Sequence, residues 1–84
     1  MQTLEELGQA VSERRRALGL KQGVVARQAG VSQEFLSRLE RGRVSEVGAR
    51  KLLAVLAVLG MELAFSETGT SGQLDELRKE RSGR

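Results

Sequence analysis

The sequence predicts a small all-α domain of four or five helices with one short C-terminal strand. Three observations lead there. Apolar residues recur at helical spacing over the first sixty residues, glycines at 19, 30, 42 and 60 punctuate that pattern, and beyond Gly60 the apolar period drops from 3.6 to 2. The chain has 84 residues, one domain at most, and its core is too small to supply a wide margin of stability unaided. It has no cysteine, so neither a disulfide nor a thiolate metal site can make up the difference. A partner subunit is the expected addition.

Thr3 followed by Glu6 forms a capping-box signature, and Leu4, Leu7, Val11 and Leu18 then recur at helical spacing, which predicts a first helix from about Leu4 to Leu18. Gly19 is placed to end it in the left-handed conformation, after which Leu20 turns back to the core. A second, shorter helix spans Gln22 to Ala29, with Val25, Ala26 and Ala29 making a small apolar face, and Gly30 ends it. Ser32 caps a third helix to about Arg41, with Leu36 and Leu39 inward and Gly42 beyond its end. Ser45 is the candidate cap of a fourth, whose start falls anywhere from Val44 to Ala49 and which ends at Leu59. Leu52, Leu53, Val55, Leu56, Val58 and Leu59 cover most of its circumference, so it needs burial on more than one side. Met61, Leu63 and Phe65 then alternate with Glu62, Ala64 and Ser66 as a strand does. A lone strand needs a ladder partner, and the same strand of a second subunit supplies it most simply; an extension folded irregularly over the core is the competing reading. Residues 1–66 are therefore expected to form the domain and residues 67–84 a flexible, charged tail.

Composition excludes most chemistry. With neither histidine nor cysteine, only serine, lysine and carboxylates remain for catalysis, and no pair of them stands at a suggestive spacing; no enzyme activity, metal or cofactor is expected. The longest apolar stretch, Leu52 to Leu59, is too short to cross a bilayer, and the beginning of the chain lacks a leader pattern, so the expected location is cytoplasmic, without membrane. Charge is segregated. From Arg14 to Lys51 there are ten Lys/Arg against three Glu, while Met61 to Arg84 holds four against five. The basic half suits a polyanion, although basic residues also simply solvate helix faces.

Gln22 to Glu40 is more specific. Ala26 lets two helices cross closely, Gly30 supplies a positive φ, Val31 plugs the core and Leu36 anchors the following helix, which together make a helix-turn-helix. At 100° per residue, with Leu36 and Leu39 inward, the outward face of the third helix carries Glu34, Ser37, Arg38 and Arg41, with Gln33 on its flank and Ser32 at its cap. These are base-reading types: Gln pairs with adenine, Arg with guanine, Ser with either, and Glu accepts from cytosine. A merely solvated polar face is the competing reading. Phe35 lies at the edge of the buried stripe, where core packing and contact with a thymine methyl are both open.

The run Arg15-Arg16-Ala17-Leu18-Gly19-Leu20-Lys21-Gln22, with Ala26, Ala29-Gly30-Val31-Ser32-Gln33, Leu36-Ser37-Arg38-Leu39-Glu40-Arg41-Gly42 and Leu52 to Gly60, resembles the phage repressor and Cro type of helix-turn-helix protein, the XRE family, through the first sixty residues. The resemblance implies a phage-repressor-like fold in which Ser32, Gln33, Glu34, Ser37 and Arg38 read bases. It also implies phosphate contacts from Gln22, Arg41 and Arg43, with Arg27 or Lys51 as further candidates, and a partly buried ion pair between Arg15 and Glu40. The sequence departs from the family pattern at Lys21, where Thr or Ser usually caps the second helix, and at Gly23, where a better helix former is usual.

Within the family, the ending Leu59-Gly60-Met61-Glu62-Leu63-Ala64-Phe65 is similar to HipB-type antitoxins, in which a strand after the last helix pairs across a dimer. That resemblance implies a repressor of its own operon, a homodimer on double-stranded DNA with an inverted-repeat operator, holding a HipA-like kinase toxin inactive. The alternatives are a stand-alone XRE-type regulator with no toxin partner and a protein-interaction module that has lost DNA affinity.

Overall fold

The computed structural model describes residues 3–67, and the tail expected at 67–84 lies outside it beyond Glu67. Among these residues four helices fold in chain order: α1 (Leu4–Ala17), α2 (Gln22–Ala29), α3 (Gln33–Glu40) and α4 (Ala49–Val58). Thr3 caps α1 by accepting the Glu6 N–H at 3.0 Å, and Ser32 caps α3 by accepting the Phe35 N–H at 2.9 Å, as their sequence signatures predict. All four helices end in one way. A positive-φ glycine (Gly19, Gly30, Gly42, Gly60) follows, and the next N–H returns to a carbonyl five residues back. Leu20 bonds Arg15, Val31 bonds Ala26, Arg43 bonds Arg38 and Met61 bonds Leu56, at 2.8–3.1 Å. Such Schellman closures satisfy the last carbonyls and reverse the chain sharply.

The core joins Val11 of α1, Val25 and Ala26 of α2, Leu36 and Leu39 of α3, and Leu52, Val55 and Leu56 of α4 with Leu59 beyond it. Truncating any of these leucines to alanine costs about 2–5 kcal/mol, comparable to the whole stability of a domain this small. Helix α1 packs on α3, and α2 packs on both α3 and α4. The α1–α3 approach is close because of Gly8, where an added Cβ would lie 1.8 Å from the Leu39 carbonyl oxygen.

Three expectations are corrected. Leu18 is not in the core: as the C-cap of α1 it is exposed, and Leu20, past the reversal, takes the inward place. Ser45 does not cap α4, which starts at Ala49 behind Gly48 with no side-chain cap. Val44 and Val47 instead pack onto the core from a loop, and β-branched residues followed by glycine are a poor first turn. Residues 61–67 have no regular structure in the single chain, where among the described residues no second segment pairs with them; the pairing expected across a dimer needs a second copy. Met61 folds onto the core while Leu63 and Phe65 stand exposed. Finally, α4 is buried on one side only, because Leu53 remains 48% exposed in the single chain and Ala57, one turn on, is exposed too. Among the described residues no helix is long and apolar enough to cross a membrane.

Candidate nucleic-acid interface

The site begins with a polar joint that fixes three helices. Arg15 of α1 grips Glu40 of α3 with two hydrogen bonds, Nε to Oε2 at 2.6 Å and Nη2 to Oε1 at 2.9 Å, and sends Nη1 to the Leu20 carbonyl at 2.8 Å. Gln22, the first residue of α2, donates its amide to the same carboxylate at 3.0 Å. The Glu40 side chain is only 4% exposed. Burial alone would push its carboxyl upward; hydrogen bonds from Arg15, Gln22 and Ser12, with the Arg15 charge, hold it below the ordinary carboxylate value. The hydrogen bond from Arg15 to Glu40 raises the guanidinium's own pKa against the opposing effect of burial. The pair implied by resemblance is thus present, and Gln22, expected only at phosphate, belongs to it as well.

This joint sets α3 with its polar face outward. Ser32, Gln33, Glu34 and Arg38 are exposed and Ser37 is half-exposed. The Ser32 oxygen is occupied by the Phe35 N–H. Glu34 and Arg38 form an ion pair one turn apart on the open surface, with side chains 71% and 55% exposed, a geometry that screening keeps weak. Arg41 directs its Nε to the Ser37 carbonyl at 3.3 Å, lying along the end of the helix. Phe35 is half-buried against the core, with the Lys51 ammonium 5.3 Å from its ring centre. That places it in the packing.

Two concavities flank α3. One, of about 490 Å3, is lined by Arg15, Lys21, Gln22, Gly23, Arg27 and Gln33, so Gln22 and Arg27 of α2 and Gln33 of α3 share one concavity. The other, of about 550 Å3, gathers Arg38, Arg43, Arg50 and Lys51 around Phe35 and Glu46. Arg50 was not among the expected contacts. The sequence left it unmarked because the start of α4 was open: with α4 beginning at Ala49, it and Lys51 stand in a first turn that has no acidic residue, against the preference of a helix N-terminus for negative charge. An anion beside them would offset that.

Other placements escaped the sequence reading. Arg14 donates Nε to the Leu59 carbonyl at 2.9 Å, closing the end of α4 from a helix 45 positions away, and no local pattern announces such a bond. Gly8 did carry a signal, as an isolated glycine on the apolar face between Leu4 and Val11.

No curated protein matches the chain. A protein-family model described as a helix-turn-helix domain matches residues 6–64, which takes in all of α2, the turn, α3 and α4. A capped α3 with an outward polar face, set by a three-helix joint between two cationic concavities, is the geometry such a domain presents to DNA, and the chain belongs to the helix-turn-helix domain family of XRE/Cro type.

Proposed function

We propose that the chain is a sequence-specific transcriptional repressor that acts in the cytoplasm as a two-fold dimer, placing two copies of α3 in successive major grooves of an inverted-repeat operator. The observation that carries this reading is the outward face of α3, with base-reading residue types between two concavities lined by cations. Ser32, Gln33, Glu34, Ser37 and Arg38 select sequence, Arg38 by a bidentate contact to guanine that replaces its weak pair with Glu34. Gln22, Arg27, Arg41 and Arg43 fix register on phosphates, joined by Arg50 and Lys51 at the start of α4. Gln22 keeps a second amide N–H for this while the first holds Glu40.

Dimerisation through Met61, Leu63 and Phe65 is supported by what the single chain leaves open: Phe65 is 96% exposed, with Leu53 and Leu63 nearly half exposed. Two such segments pairing antiparallel satisfy each other's backbone and cover these side chains. Half-sites about 34 Å apart follow from that symmetry.

At the finest level the protein is an antitoxin that represses its own operon and holds a HipA-like kinase toxin inactive, a reading supported by the similarity of Leu59 to Phe65 to HipB-type endings. Co-expression with a kinase-like neighbouring gene product is expected to yield a stable complex. If no such neighbour exists or no complex forms, the protein is a stand-alone regulator.

Two substitutions test the DNA reading. Arg38→Ala is expected to relax preference at one base pair by about 1–3 kcal/mol, and Arg43→Ala to weaken all DNA alike and lower the salt slope by about 1. Equal, sequence-independent losses from both would contradict the division of roles.

A further inference from the structure

Gly23 has no backbone reason to be glycine. It lies inside α2, and its φ is outside the left-handed region that the four helix-ending glycines occupy. Glycine inside a helix is destabilising relative to alanine, and α2 has no side-chain cap, so it is a poor place to accept that cost. What the missing side chain leaves is room, and the room is taken. A Cβ on Gly23 would stand 3.2 Å from Oε1 and 3.8 Å from Cδ of Gln33, whereas Gly19, Gly30 and Gly48 have nothing within 4 Å. The Gln33 amide therefore reaches back from the first turn of α3 and rests on the first turn of α2. A long side chain on an exposed helix face otherwise samples several rotamers and gives up that freedom on binding; a seat that selects one lowers the cost.

We infer that Gly23 is a specificity-determining positioning residue, whose absent side chain forms the seat that orients the Gln33 amide toward its base pair. The inference rests on the reading of α3 as the base-reading helix. It also accounts for a glycine that weakens α2: stability of the helix is exchanged for definition of one contact. Alanine at 23 leaves the protein folded, because the far end of a glutamine can shift, but the amide must give by a few tenths of an ångström. Leucine fills the seat and displaces the amide, and being apolar it offers no hydrogen bond of its own to a base.

The test uses the full chain and duplex DNA selected from a randomised pool by the wild-type protein. Binding to every single base-pair change in that site is measured for wild type, Gly23→Ala, Gly23→Leu, Gln33→Ala and the double variant Gly23→Leu/Gln33→Ala. Discrimination at the base pair sensitive to Gln33→Ala is expected to fall about tenfold in Gly23→Leu, less in Gly23→Ala, and no further in the double variant. Melting temperature is expected to rise in Gly23→Ala, and the Gln33 side-chain amide resonances to move in the free protein. A wild-type preference that Gly23→Ala and Gly23→Leu leave intact, or Gln33 resonances that do not move in Gly23→Ala, would overturn the inference while leaving DNA reading in place. A wild-type protein that enriches no sequence would overturn both. If Gly23→Leu fails to fold, Gly23→Ala alone decides, through its resonances and its base preference.

Discussion

At the residue scale, the Arg15–Glu40 joint carries the most consequence per atom. Removing one partner strands the other in a site where Glu40 is 4% and Arg15 11% exposed, so Glu40→Ala is expected to cost about 3 kcal/mol in urea unfolding, more than replacing both residues by apolar ones of similar volume. The pH dependence follows from the lowered Glu40 pKa. A carboxylate held below its unfolded value contributes stability that is complete above that value, about 4.3, and is lost as pH falls through the folded pKa. Wild-type melting temperature is therefore expected to drop on acidification below about pH 4, with a shallower drop in Glu40→Gln; parallel curves would contradict the assignment. Arg15, raised from an already high value, adds no dependence in that range. The family resemblance named these two residues, but the contributions of Ser12 and Gln22 and the Arg14 bond to Leu59 were illegible, because each depends on which helices meet rather than on sequence neighbours.

At the element scale, what could be read was what local chemistry decides. Thr3, Ser32 and the four terminating glycines mark their helix boundaries because caps and left-handed residues act within one turn. The start of α4 was not legible, since core packing by Val44 and Val47 overrides the capping preference of Ser45. Helix α2 is the weak element, with Lys21 at its N-cap making no side-chain bond. Lys21→Ser is expected to add about 1 kcal/mol to stability in thermal melts. The opposite holds where space is closed: Gly8→Ala drives a methyl against the Leu39 carbonyl and is expected to cost about 3 kcal/mol by forcing α1 and α3 apart.

At the scale of the whole molecule, the charge segregation visible in the sequence became a surface, with seven of the ten Lys/Arg between Arg14 and Lys51 lining the two concavities beside α3. The strand did not form, because a pairing that needs a second chain is not a property of one. Phe65→Ser is accordingly expected to shift the protein toward monomer in sedimentation velocity and to weaken operator binding through lost bivalency, without lowering the stability of the helical core. That α3 reads DNA sequence is checked first by fluorescence anisotropy across a salt series, with duplex DNA from upstream of the chain's own gene set against a scrambled duplex. A sequence-reading α3 gives a preference on the order of a thousandfold for the upstream DNA, with log K falling steeply against log salt. Equal, weak binding to both duplexes would contradict it.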